Sequence, residues 1–226
     1  MKYFLDSANF NEIEKALSRY ALDGVTTNPA ILARDLPEGI SLRDALLTIR
    51  RLTEGRLLFV QATSPEADGM VRDAKRICEL LGGALSIKLP SNKEGFAAAK
   101  LLVEEGISVT MTAAYSTSQA LLAGAVGADF VAPYVSHLDN MSQDGAAVAG
   151  EMARQLAFHE KNTEVLAASF RTAAQVERCF ALGVSAVTVT ADMLDLLATH
   201  AGTAAELANF DAKWNARYNG NIGEII

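Results

Sequence analysis

Residues 84–90 read ALSIKLP, and small polar or charged side chains alternate with larger apolar ones along this stretch. Alternation with a period of two is typical of a β-strand, because successive side chains of a strand point to opposite faces. Helical patterns lie on both sides of it, over Pro65–Leu81 and Lys93–Glu105. A strand between two helices predicts a parallel sheet with helical crossovers.

The same alternation extends along the whole chain. Strands are predicted at Tyr3–Asp6, Gly24–Thr27, Leu57–Thr63, Ala84–Leu89, Ser108–Thr112, Phe130–Tyr134, Val165–Phe170 and Ala186–Thr190. Further helices are predicted at Asn9–Arg19, Ser116–Val126, Gly145–Phe158, Ala174–Leu182 and Ala191–Thr199, with an additional C-terminal helix at Thr203–Tyr218. This order predicts an α/β fold, a single (β/α)8 TIM barrel domain over residues 1–226 that includes the C-terminal helix and tail from about residue 203. A doubly wound open sheet is the structural alternative.

Composition excludes several classes of partner. The chain has 226 residues, half of them hydrophobic, and a formal net charge of −7, with 20 basic residues that form no cluster. Nucleic acid is therefore not an expected partner, and no uncharged apolar run approaches the ~20 residues that cross a bilayer. Asp6 comes too early for a signal peptide. Cys78 and Cys179 show neither disulfide nor zinc-ligand spacing, so we expect a cytoplasmic protein without a metal or cofactor.

Strand parity places Lys88 and Ser86 on the lumen face of the predicted barrel, opposite the helix-facing Ile87. Burial penalises the ammonium form and lowers the pKa of a lysine, and a neutral amine attacks a ketone to form an imine. The iminium then accepts electrons from an adjacent carbon–carbon bond, which allows that bond to break. The alternative is a lysine that reaches solvent from the strand end, as most lysines do.

Polar residues at other strand ends converge on the same mouth, where barrel enzymes hold their chemistry. Asp6 is placed to exchange a proton with a substrate hydroxyl, or else it caps the first helix. Gln61, Thr112 and Tyr134 have the groups to hold a water as a proton relay, or else they are satisfied polar residues of the core. Asn28 follows the second strand, where it binds a sugar hydroxyl or serves the turn before the next proline.

An anion site is predicted at the end of the seventh strand. Ser169 shares a strand face with Ala167, and Arg171 follows two residues later. Barrels often bind phosphate near the seventh and eighth strands, and serine with arginine suits that anion. Arg171 as an ordinary surface charge is the alternative. His137 follows the sixth strand near the predicted mouth, and the three histidines show no metal-ligand spacing.

Five segments carry a resemblance to a known family. They are Phe4–Asp6, Gly24–Pro29, Ile87–Pro90, Val131–Tyr134 and Leu166–Phe170. With these segments at compatible spacing, the chain resembles the small transaldolase family over nearly its full length, and within it the fructose-6-phosphate aldolase branch. The resemblance implies a (β/α)8 barrel, a Schiff base at Lys88 and acid–base work by Asp6. It also implies a homo-oligomer, since small members commonly form decamers of two pentameric rings in which the C-terminal helix reaches a neighbour.

Three positions resemble the aldolase branch rather than the transaldolases. Gln61 stands where transaldolases usually carry Glu, Tyr134 where they carry Phe, and Ala132 where they carry Ser. A tyrosine hydroxyl can hold a proton-donating water, which phenylalanine cannot. We therefore predict a class I aldolase that reversibly cleaves fructose 6-phosphate or a similar ketose to dihydroxyacetone and an aldehyde. A transaldolase with the same covalent intermediate is the alternative, and a non-catalytic sugar-phosphate binder is a third hypothesis.

The aldolase hypothesis assigns the remaining polar residues to the two ends of the substrate. Asn28 and Ser86 are expected to orient the dihydroxyacetone unit, while Ser169, Arg171 and His137 face the aldehyde. Members of the family usually carry Arg at the position of His137, where it grips a phosphate together with Ser169. A histidine cannot make the bidentate contact of arginine, so the sequence leaves open whether the aldehyde is phosphorylated.

Overall fold

The computed structural model describes residues 1–225, and its strands form a closed parallel barrel in sequence order. The eight strands are β1 Lys2–Asp6, β2 Gly24–Thr26, β3 Leu57–Gln61, β4 Leu85–Pro90, β5 Val109–Ala114, β6 Phe130–Pro133, β7 Glu164–Ala167 and β8 Ala186–Val189. The ring closes where β8 pairs with β1, with Val187 opposite Tyr3. The predicted (β/α)8 barrel is therefore confirmed, and the open-sheet alternative is wrong.

Helices occupy the connections between the strands and the C-terminal region. In residues 1–225 they are α1 Phe10–Arg19, α2 Pro29–Asp35, α3 Leu42–Leu52, α4 Ala67–Leu81, α5 Lys93–Glu104, α6 Thr117–Val126, α7 Val135–Asn140, α8 Gly145–Phe158, α9 Ala173–Ala181, α10 Ala191–Leu197, α11 Ala201–Asn215 and α12 Ile222–Ile225. The predicted C-terminal helix is confirmed as α11, and its apolar side chains do not pack on the barrel core, because none of its residues is buried.

Two differences from the predicted elements shape the mouth of the barrel. The third and seventh strands end at Gln61 and Ala167, earlier than the sequence predicted. The connections after β2 and β6 contain the helices α2, α3 and α7, none of which was predicted from the sequence. Helices α2 and α7 have only 7 and 6 residues, so neither is long enough to display a helical period in the sequence. Helix α3 has 11 residues with Leu42, Ala45, Leu46 and Ile49 at helical spacing, so its pattern was present and was overlooked.

The barrel lumen has an aromatic layer and a polar layer. Phe4, Phe59 and Phe130 pack edge to face, with ring centroids 5.0 to 6.2 Å apart, the geometry that aromatic pairs prefer. Nearer the C-terminal strand ends, the hydroxyls of Thr26 and Thr188 form a buried hydrogen bond of 2.6 Å. The aromatic layer fills one part of the lumen, so polar side chains at the strand ends open only towards the mouth.

Candidate active site

A cavity of about 680 Å³ opens at the C-terminal ends of the strands. It is lined by Asp6, Thr26, Asn28, Pro29, Ala30, Ile31, Arg34, Gln61, Lys88, Ala132, Tyr134, His137, Leu166, Ala168, Ser169, Phe170, Thr188, Val189, Thr190 and Met193. These residues come from most strands of the barrel and from the connections that follow them. The predicted convergence of polar side chains on the mouth therefore exists as one continuous cavity.

Lys88 lies at the bottom of this cavity on β4. Its side chain is 5% exposed, and its Nζ donates a hydrogen bond of 2.9 Å to the carbonyl oxygen of Thr27. Burial lowers the pKa of Lys88 below the usual lysine range, and the nearby negative charge of Asp6 offsets only part of this effect. Lys88 does not reach bulk solvent, so the structure places it as the lumen-face prediction did.

Asp6 faces the same cavity from the end of β1. Its Oδ1 accepts a hydrogen bond of 2.6 Å from the Thr26 hydroxyl. Burial raises the pKa of Asp6, and the charge of Lys88 and the hydrogen bond from Thr26 counteract this shift only in part. The alternative role of Asp6 as a helix cap is wrong, because the Asn9 side chain caps α1 by accepting from the N–H of Glu12.

A second polar group lies above Lys88, where the hydroxyls of Thr112 and Tyr134 are 3.1 Å apart. Burial raises the pKa of Tyr134, so its phenol is a proton donor at neutral pH. Gln61 and Tyr134 both line the cavity. Thr112 is buried outside the lining and is connected to the cavity by the contact of its hydroxyl with that of Tyr134. The three predicted relay residues thus lie around one side of the site.

Of the two residues expected at the dihydroxyacetone end, Asn28 lies at the cavity and Ser86 lies deeper in the barrel. Asn28 lines the cavity, and its Oδ1 also caps α2 by accepting from the Ile31 N–H at 2.9 Å. The turn reading of Asn28 is therefore confirmed, and its contact with a sugar hydroxyl stays a prediction. Ser86 lies outside the cavity lining, because its hydroxyl is fully buried and hydrogen bonded to Thr110 at 2.7 Å. Strand parity located Ser86 on the correct face but not at the depth where it would touch a substrate.

The residues expected at the aldehyde end also divide. Ser169 lines the cavity although Ala167, its predicted partner on the same face, packs in the core outside the lumen. The reason is a positive φ of 62° at Ser169, which ends the strand alternation. Its hydroxyl lies 2.7 Å from that of Ser136. His137 lines the cavity as well, and its Nδ1 lies 3.2 Å from the hydroxyl of Tyr115.

The arginine that lines the cavity is Arg34, not Arg171 as the sequence predicted. Arg171 is exposed outside the cavity lining, and its Nη1 lies 3.4 Å from Oδ1 of Asn140. Arg34, which the sequence analysis did not consider, lines the cavity from α2. A signal existed, because Arg34 follows Ala30 and Ile31 by four and three residues, the spacing that places side chains on one helix face. It was missed because α2 itself was not predicted.

In residues 1–225, no group of three or more His, Cys, Asp and Glu side chains is arranged to hold a metal ion. Cys78 and Cys179 are both free thiols. None of the helices described in this range has both the length and the hydropathy required to span a membrane.

Solved structures with similar architecture support the fold alone. Flavocytochrome b2 with sulfite bound matches with a TM-score of 0.59 and 11% identity, covering 84% of this chain and 57% of that one. A mandelate oxidase mutant with an FMN adduct gives 0.58 and 13%, covering 84% and 64%. Thiamine phosphate pyrophosphorylase from Pyrococcus furiosus gives 0.58 and 14%, covering 84% and 85%. The chain thus spans less than two thirds of the first two proteins.

A family model provides more specific information than these structures. The model described as Transaldolase/Fructose-6-phosphate aldolase matches residues 3–223, almost the whole chain. The match includes every strand of the barrel except the first residue of β1, and every residue named above in the cavity. The cavity and the family match therefore concern the same part of the molecule.

Replacing Asp6 by Asn is expected to remove a pH-dependent loss of stability. Because burial raises the pKa of Asp6 in the folded state, ionisation of this carboxyl costs nothing below the ordinary aspartate pKa, and the cost appears as the pH rises through the folded-state pKa. The free energy of unfolding of Asp6→Asn should therefore equal that of the wild type near about pH 4 and exceed it at about pH 8, by roughly 1.4 kcal/mol per unit of pKa shift.

Urea unfolding at the two pH values measures this difference. Asp68→Asn is the matched control, since Asp68 lies exposed on α4, where its ionisation involves no burial. A stability difference between Asp6→Asn and wild type that stays constant from acid to alkaline pH would contradict the effect of burial on Asp6.

Proposed function

The chain belongs to the transaldolase/fructose-6-phosphate aldolase family, and from that premise we propose that it is a class I aldolase with Lys88 as its Schiff-base residue. The proposed substrate is fructose 6-phosphate or a similar ketose, cleaved reversibly to dihydroxyacetone and an aldehyde. The observation that carries this proposal is the burial of Lys88 at the bottom of the cavity, with its pKa lowered and Asp6 facing the same space. Amines in such surroundings are nucleophiles at neutral pH.

The reaction begins with the Lys88 amine. Its neutral form attacks the ketone carbon of the substrate, the carbonyl oxygen takes up a proton, and water leaves as the iminium forms. Tyr134 and Gln61 are proposed to hold the water that exchanges these protons, with Thr112 fixing the tyrosine hydroxyl at 3.1 Å. The hydrogen bond from Nζ to the Thr27 carbonyl holds the amine in position before attack.

Bond cleavage is proposed to use Asp6 as the base. The Asp6 carboxylate takes the proton from the hydroxyl on the carbon beyond the breaking bond, and that oxygen becomes the aldehyde carbonyl. The electrons of the carbon–carbon bond move into the iminium and leave an enamine on Lys88. The raised pKa of Asp6 suits this role, because it makes the carboxylate a stronger base than that of an exposed aspartate.

The fate of the enamine separates lysis from transfer. An aldolase protonates the enamine carbon and hydrolyses the imine to release dihydroxyacetone, whereas a transaldolase holds the enamine until an acceptor aldehyde arrives. The Tyr134 hydroxyl is a proton donor inside the cavity, which favours protonation and therefore lysis. Transfer is the second candidate, because the family description includes both activities.

The two ends of the substrate are assigned by position in the cavity. We place the dihydroxyacetone unit against Asn28, and the aldehyde near Ala132, Ser169 and His137, all of which line the cavity. Ser86 is proposed to support Lys88 from below rather than to touch the substrate. Arg171 lies outside the lining and bonds Asn140, so it is not assigned a contact.

Assembly and location complete the proposal. Helix α11 has no buried residue, and Leu207 and Phe210 on it are each 54% exposed. A helix that leaves large apolar side chains in water is typical of a protein interface. We propose that α11 packs on another copy of the chain in a homo-oligomer, as in the decamers common among small members of the family. The free thiols Cys78 and Cys179 are compatible with the cytoplasm.

Borohydride reduction in the presence of dihydroxyacetone should attach the donor covalently to Lys88. Peptide mass analysis should find the adduct at Lys88 and nowhere else, and Lys88→Arg should abolish both the adduct and turnover, because a guanidinium does not form the imine. Lys93→Arg, an exposed lysine at the start of α5, should label normally. Turnover without any adduct at Lys88 would refute the mechanism.

Tyr134→Phe should shift the enzyme from lysis towards transfer by roughly a hundredfold or more, the lower end of the contribution expected from a positioned proton donor. The measurement is the ratio of free dihydroxyacetone to transferred donor with an acceptor aldehyde present. Tyr115→Phe removes a hydroxyl that contacts His137 instead and should leave the ratio unchanged. An unchanged ratio in Tyr134→Phe would contradict the role given to its hydroxyl.

Light scattering should give a molar mass several times that of one chain. Replacing Leu207 and Phe210 together by Ser should lower that mass, since it removes exposed apolar area from α11. Asn209→Ser, between them on the same helix, removes no apolar side chain and serves as the control. A monomeric wild-type protein would exclude the proposed assembly.

A further inference from the structure

Arg34 differs from the other basic side chains that line the cavity. Three basic residues are in the lining, Arg34, Lys88 and His137. Lys88 is buried with its pKa lowered, and a histidine lacks the permanent charge and planar fork of a guanidinium. The side chain of Arg34 is 63% exposed. Among the described residues, the permanent accessible cation of this cavity is therefore Arg34.

The Arg34 guanidinium is held in place by its neighbour in the chain. Its Nε and Nη2 contact Oδ1 and Oδ2 of Asp35 at 2.5 and 3.0 Å. Asp35 is itself fixed, because Oδ2 also accepts from the Ala8 N–H at 3.1 Å and its side chain is only 9% exposed. Burial alone would raise the pKa of Asp35, but the hydrogen bonds from Arg34 and Ala8 outweigh it, so this pKa is lowered and the carboxylate is charged.

This arrangement leaves part of the guanidinium available. The bonds to Asp35 use one N–H of Nε and one of Nη2, and in residues 1–225 the Nη1 group and the second Nη2 proton have no protein acceptor. A guanidinium that is oriented by a fixed carboxylate and still has free N–H groups is preorganised for a second anion. Surface arginines without such support lose side-chain entropy on binding.

The position of Arg34 in the barrel gives the direction of this second anion. Arg34 belongs to α2, which follows β2, whereas His137 belongs to α7, which follows β6. In a ring of eight strands β2 and β6 are opposite each other, and β4, which carries Lys88, is two strands from each. The cavity therefore has a guanidinium on its β2 side, paired with Asp35, and the side chains of His137 and Ser169 on the side of β6 and β7.

We propose that Arg34 binds the phosphate group of a sugar phosphate in this cavity, so that the β2–α2 side supplies the anion contact that neither His137 nor Arg171 provides. The sugar part of this assignment rests on the proposed aldolase function. The phosphate has two sources, the far end of the aldehyde fragment, as in fructose 6-phosphate, or the carbon next to the ketone, in which case the donor fragment is dihydroxyacetone phosphate instead of dihydroxyacetone. Both present the same dianion to the guanidinium, which contacts such oxygens bidentately.

The test is equilibrium binding of glucitol 1-phosphate, glucitol 6-phosphate and glucitol, measured by calorimetry. These alditols lack a carbonyl group, so they cannot form an imine with Lys88, and the affinities report only non-covalent contacts. Arg34→Gln should weaken binding of at least one phosphate isomer by about tenfold or more, the scale of a charge-assisted contact, and leave glucitol unchanged. The isomer that loses affinity identifies the end of the sugar that carries the phosphate.

Two further variants make the result decisive. Arg34→Lys keeps the charge without the fork and should recover part of the affinity, which a folding defect would not allow. Arg171→Gln should bind both isomers as the wild type does. The assignment is overturned if Arg34→Gln binds both phosphates normally, if it loses glucitol equally, if the wild type binds neither phosphate, or if only Arg171→Gln loses affinity. Absence of a borohydride adduct in the wild type, together with Arg34-dependent phosphate binding, would refute the aldolase and keep the anion site.

Discussion

The burial of one amine constrains the rest of the site. Lys88 is 5% exposed, and its Nζ has a backbone carbonyl, that of Thr27, as its hydrogen-bond partner. An ammonium in that position has lost most of its hydration without gaining a directly paired carboxylate, so the neutral form is favoured. The closed barrel imposes this, because the side chain of an inward residue on β4 cannot turn away to solvent as it would on an open surface.

Neither Lys88 nor Asp6 is held in its charged form by its surroundings. Burial raises the pKa of Asp6 and lowers that of Lys88, and each group partly opposes the shift of the other. Burial therefore favours the neutral form of both groups, which makes Asp6 a stronger base and Lys88 a better nucleophile than the same side chains in water. The hydroxyls of Thr26, Thr112 and Tyr134 supply hydrogen bonds without adding charge. A direct salt bridge between Asp6 and Lys88 would instead stabilise the ammonium form of the lysine, which is not a nucleophile.

The permanent positive charge in the cavity lining comes from the segment after β2. The segment after β6 contributes His137, and Arg171 bonds Asn140 outside the lining. Arg34 enters the lining from α2, and Asp35 orients it. One short helix therefore contributes both Asn28, which caps it, and Arg34, near its end. If Arg34 binds phosphate, the family chemistry is combined here with an anion contact on the other side of the barrel.

The sequence by itself determined the barrel, the lumen position of Lys88 and the convergence of Asp6, Asn28, Gln61 and Tyr134 on the mouth, because a period of two defines the face of a strand and parallel strands end together. Only the tertiary structure decided how deep in the barrel each side chain lies and which side chains line the cavity. Ser86 is on the correct face but below the cavity, Ser169 enters it through a positive φ, and Arg34 rather than Arg171 lines it. Alternation states which way a side chain points. How far it lies from the mouth depends on the stagger of closed strands and on short helices whose sequences are too brief to show a period.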